Sequence, residues 1–103
     1  MSDFSNKFKV FELDADSERF EIVKSVGKPI EEILDSKNIF LILDPIHSKV
    51  WLWNGLRADV QHKFIAAQLA HNVRNQYAVD FNICAVDENK ESDEFKEIET
   101  ILL

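Results

Sequence analysis

The stretch that decides the fold is KVWLWNGLRADVQHKFIAAQLAHNVRNQY, Lys49–Tyr77. Its opening places Val50 and Leu52 on one face of a strand and Trp51 and Trp53 on the other, so neither face is polar. Just upstream, NIFLILD (Asn38–Asp44) is a continuous apolar run. Two neighbouring strands of this kind predict a central sheet with a layer above and a layer below it. Asn54-Gly55 ends the second strand, and glycine's tolerance of positive φ accounts for its use at a tight exit into a helix. From about Ala58 to Tyr77 the chain runs through Ala, Gln, Leu, Lys, Arg and His without a Gly or Pro, which predicts a long helix.

Helical residues advance by about 100° each, so the positions can be sorted by direction. Ala66, Leu69, Ala70, Val73 and Tyr77 fall in one sector and form the expected core face. Their small size near the middle suits close packing on a sheet that carries the tryptophans. Almost directly opposite lie Val60, Phe64, Gln68, His71 and Asn75. An isolated exposed aromatic carries little meaning. Val60 and Phe64 are one turn apart, however, and a paired apolar spot framed by polar side chains is the pattern of a docking ridge. The blander readings are that a loop partly covers it, that the pair arises by chance, or that the helix is phased differently.

The remaining segments extend the pattern. KFKVFEL (Lys7–Leu13) alternates Phe8, Val10 and Leu13 against polar neighbours, DADSE supplies a turn, and RFEIVKSV alternates again through Phe20, Ile22 and Val23, giving a β-hairpin. Gly27 and Pro29 break the chain, and IEEIL is long enough for one or two helical turns. PIHS makes the next turn. FNICAV (Phe81–Val86) reads as a final buried strand with Cys84 as an inert core thiol. NKESDEFKEIETILL reads as a helix with Phe95, Ile98 and Leu102 on one face and acids near its start. The order is β-β-(turn)-β-β-α-β-α. This is an α+β domain spanning residues 1–103, with a five-stranded mixed sheet between one long and one short helix.

Composition limits the functions available. At 103 residues and 46% hydrophobic content the chain can bury one core, and its net charge of −7 argues against nucleic acid or an anionic membrane as a partner. Cys84 is the single cysteine, so no internal disulfide forms, which fits a reducing compartment. MSDFSNKFK is polar, and no run approaches the roughly 18 apolar residues of a membrane span. A cytoplasmic protein is expected. His62 and His71 are nine positions apart and point to opposite sides of the helix, so they cannot chelate together. Asp44, His47 and Ser48 share a turn, which reads as a solvated turn rather than a triad. The acids from Asp87 to Glu99 read as a solvated helix face. No phosphate-cradling Gly-rich loop occurs, and nothing points to catalysis, a cofactor or a small-molecule substrate.

The whole pattern resembles the gelsolin-like domain of gelsolin and villin. FKVFELDADSERFEIVKSV looks like that family's opening hairpin, LDSKNIFLILD is similar to its third strand, and KVWLWNG matches its xxYxWxG strand. The long helix, FNICAV and ENKESDEF follow in the family's order and spacing. The resemblance implies binding of actin or an actin homologue through the outer face of the long helix. Carried over, that face is Val60, Phe64, Gln68, His71 and Asn75, with Phe95 joining it from the last motif. It also implies a cytoplasmic, cytoskeleton-associated regulator of actin assembly. The family's calcium site uses a Gly-Asp pair and a helical Glu. The matching positions here are Lys37, Asn38 and His62, which calcium, a cation that seeks anionic oxygens, disfavours. Severing and nucleation in the family need several linked modules, and no basic cluster for phosphoinositides is present. The gelsolin fold also serves as a structural module in vesicle-coat proteins, so a non-actin adaptor is the alternative.

Overall fold

The computed structural model describes residues 7–24 and 27–103. The predicted hairpin's last two residues, Ser25 and Val26, and the polar stretch 1–6 lie outside them. Two strands, β1 (Lys9–Asp14) and β2 (Arg19–Ile22), form the hairpin, and a single helical turn, α1 (Ile30–Ile33), follows. Then come β3 (Ile39–Asp44), β4 (Lys49–Asn54), the 18-residue α2 (Val60–Tyr77), β5 (Asn82–Asp87) and α3 (Asp93–Ile98). The strands lie in the order β2-β1-β3-β4-β5. Every neighbour is antiparallel except β4 and β5, which are parallel because α2 carries the chain back across the sheet.

Strand alternation divides the apolar residues between two cores. On one face Phe11, Leu13, Leu41, Leu43, Val50 and Leu52 pack with Ala66 and Ala70 of α2. On the other, Val10, Phe40, Ile42, Trp51 and Trp53 pack with Ile30 of α1 and with Phe95 and Ile98 of α3. The sandwich is therefore as the sequence predicts, and all six residues of β3 are buried. The pairing of helix to face differs in one respect. The tryptophans lie under α3, not under α2, and the small residues of α2 meet Leu and Val instead. Period-two alternation fixes which side chains share a face, but not which helix covers it.

Three further expectations are corrected. In β1, Leu13 cannot share a face with Val10, an odd number of residues away; it joins Phe11 in the α2 core, so this strand too is covered on both sides. β5 forms an edge of the sheet and is only half covered, so Cys84 is partly exposed and packs against the tryptophan core from its margin. The last helix stops at Ile98 because the following backbone pairs elsewhere: Ile30 N–H donates to Ile101 O (2.9 Å) and Leu103 N–H donates to Lys28 O (3.0 Å). Leu102 is consequently 64% exposed, and Ile101 takes the core position instead.

Candidate docking site on the long helix

The site begins at Gly55. Its φ is not positive, so the expected turn conformation is not the reason for a glycine. The reason is close approach: a Cβ would sit 2.3 Å from Ser36 O and 2.6 Å from Asn38 O. Gly55 N–H donates to Asn38 O (3.0 Å) and Arg57 N–H to Ser36 O (2.8 Å), locking the β4–α2 segment against the segment leading into β3. Asp59 then caps the helix, its carboxylate accepting from Gln61 N–H at 2.7 Å. With Ala66 and Ala70 fully buried, the rotation of α2 is set.

That rotation leaves Val60, Phe64, Gln68, His71 and Asn75 all exposed. Phe64 is 70% exposed and Val60 64%, so the aromatic ring is not tucked beneath its own fold. Leu56, 67% exposed and one four-residue step before Val60, is a residue that the sequence alone did not single out. The spacing Leu56, Val60, Phe64 is the signal that points to it. Its backbone N–H donates to Glu88 Oε1 at 2.7 Å, while Glu88 Oε2 accepts from Ser36 Oγ at 2.7 Å. Glu88 thus ties together the segments before β3, after β4 and after β5.

Phe95 does not belong to the exposed face. It is completely buried on the far side of the sheet, edge-on to Trp51 with ring centroids 5.4 Å apart. Exposing it would forfeit about 1.5–3 kcal/mol of burial, so Phe95 is a core residue and not part of a partner surface.

The acids around α3 are also more than a solvated face. Glu91 accepts from Trp53 Nε1 (2.9 Å), Glu94 pairs with Lys49, and Glu97 lies 2.9 Å from His47 Nε2. Asp44 is fully buried and accepts from Ile46 N–H, His47 N–H and Trp51 Nε1, with His47 Nδ1 at 2.6 Å. The turn read as solvated is therefore a buried clamp. Both ring nitrogens of His47 face carboxylates, which leaves neither to activate Ser48. The hydrogen bond that His47 donates to Asp44 raises the His47 pKa above its ordinary value against the opposing effect of burial, and Glu97 adds to the rise.

Of the residues matching the family's calcium positions, Asn38 is engaged otherwise. Asn38 Nδ2 donates to Glu12 Oε2 (2.9 Å) and Leu13 O (3.1 Å), and its Oδ1 accepts from Ile39 N–H (2.8 Å). Lys37 is exposed and His62 is half-buried on α2.

A mixed five-stranded sheet between a long helix and two short ones is the gelsolin-like α+β fold that the resemblance implied. Solved structures share it, two of them complexes with actin. The Thorarchaeota ProGel, crystallised in complex with rabbit actin, superposes with a TM-score of 0.76 over 90% of this chain and 99% of its own, at 19% identity. The Thorarchaeota 2DGel3, also in complex with rabbit actin, gives 0.67 at 20% identity over 94% of this chain, which spans 46% of that longer one. At these identities the likeness is one of fold. No protein-family model matches the sequence, and no curated protein does.

Proposed function

We propose that this chain is a single gelsolin-like domain that binds actin or an actin homologue through the outer face of α2. It modulates assembly by holding a monomer or covering a filament end. The observation that carries this reading is the exposure of Phe64 and Val60, 70% and 64%, on the helix face opposite the buried Ala66 and Ala70. The partner is supported by two structures of the same fold, each a complex with rabbit actin. The role is binding, not catalysis, and it places the protein in the cytoplasm beside the cytoskeleton. No helix among the described residues is long and apolar enough to cross a membrane.

Pyrene-actin polymerisation with the purified protein tests the reading. Phe64→Ala weakens binding by about 1–3 kcal/mol, the range of an interface anchor, and Phe64→Asp abolishes the effect on assembly. Because the ring is exposed, the melting temperature of either variant stays within about 3 °C of the parent. A parent protein without effect on assembly at high micromolar concentration favours the adaptor role instead.

The same reading makes actin binding independent of calcium at the family's usual position. Asn38 already spends its amide on Glu12, Leu13 and Ile39, Lys37 brings a positive charge, and His62 offers imidazole where a hard cation needs carboxylate. Millimolar calcium leaves the melting temperature unchanged. A rise of several degrees in thermal denaturation would contradict this.

A further inference from the structure

The chain holds 19 acidic residues, yet none lies in the 18 residues of α2. That helix carries Lys63, Arg74, His62 and His71 instead. By helical phase Lys63 and Arg74 stand about 20° apart in direction and about 16 Å apart along the axis. They form one border of the exposed ridge, between it and the buried Ala66–Ala70 stripe. The opposite border, Gln61 and Asn72, is neutral. Of the cations elsewhere, Arg19 pairs with Glu21, Lys49 with Glu94, and His47 with Asp44 and Glu97. Neither Lys63 nor Arg74 makes an ion pair among the described residues. Arg74 donates only from Nη2, to Asn75 Oδ1 (3.0 Å), and its buried Nε lacks a partner.

A protein with a large excess of acid thus carries none on this helix, whose two fixed charges stand without an ion pair along one side of an apolar ridge. We infer that the groove receiving α2 is apolar at its centre and lined with carboxylates along the rim that meets Lys63 and Arg74. This rests on the reading that α2 docks on an actin-type partner, and it specifies that partner's chemistry. Two fixed cations beside a phenylalanine suit a protein groove of that kind. A polyanion such as nucleic acid would meet the repulsion of the chain's net charge of −7. Complementary charge at a rim chiefly accelerates association, and salt screens it.

The test is stopped-flow association with rabbit actin held monomeric by latrunculin, at KCl from about 25 to about 200 mM, where the screening length shortens severalfold. The parent's association rate falls roughly 3- to 10-fold across that range. Lys63→Glu slows association by a similar factor at low salt and flattens the salt dependence. Lys63→Gln does so by a smaller factor and serves if the reversal disturbs folding, which circular dichroism reports. Lys96→Glu, the same charge change on exposed α3, leaves the rate within about 2-fold. Equal rates for Lys63→Glu and Lys96→Glu, or parent binding indifferent to salt, overturn the carboxylate rim while leaving actin binding intact. A parent that binds no actin at any salt overturns the docking reading, and the rim with it.

Discussion

Gly55→Ala lowers stability by about 2–4 kcal/mol, above the usual cost of overpacking because the obstructing atoms are backbone. The added methyl would lie 2.3 Å from Ser36 O and 2.6 Å from Asn38 O, and no rotamer change relieves either contact. The segments must part, stretching the hydrogen bonds that Gly55 and Arg57 donate across them. For a domain of this size that loss corresponds to a fall in melting temperature of about 10–25 °C. Gly27 provides the comparison. Its φ is +82° and nothing lies within 4 Å of where an added methyl would stand, so Gly27→Ala meets backbone strain alone, roughly 1–2 kcal/mol. If thermal denaturation shows Gly55→Ala to be the milder of the two, the crossing is not tight. The anchoring of α2 then needs another account.

Asp44→Ala costs about 3–5 kcal/mol, the range for breaking a buried, charge-assisted cluster. The carboxylate gathers two backbone N–H groups, Trp51 Nε1 and His47, and its removal leaves them facing a void in an otherwise closed core. The cluster also makes stability depend on pH. Because Asp44 and Glu97 raise the His47 pKa in the folded state, the stabilisation is fully present below the unfolded value of about 6.5 and is lost as pH rises through the higher folded value. Denaturant unfolding of the parent therefore shows stability declining as pH rises from near 6 through that folded value. His47→Gln, which keeps a polar side chain but no titrating ring, flattens the decline. A parent profile level through this window, or a decline retained in His47→Gln, would refute the role given to His47.

Much of the framework was legible in residue order. The unbroken apolar run of β3 and the two-faced β4 demand cover on both sides, and the breaker-free stretch ending at Tyr77 has no alternative to helix. The exposed ridge was legible for the same reason. Once Ala66 and Ala70 face the sheet, rigid helical geometry sends Val60 and Phe64 outward. Phe95 was misplaced because the resemblance lent it a partner-facing role. Its own spacing with Ile98 already marked it as core.

What the sequence by itself determined is local and periodic: strand, helix, and which side chains share a face, since these follow from backbone geometry repeated residue by residue. The tertiary structure alone decided which helix covers the tryptophans, why Gly55 is a glycine, how Glu88, Glu91, Glu94 and Glu97 are spent, and where α3 gives way to pairing with the chain near Pro29. Those are contacts between residues far apart in the chain. Their energies depend on distances between segments that no period along the sequence encodes.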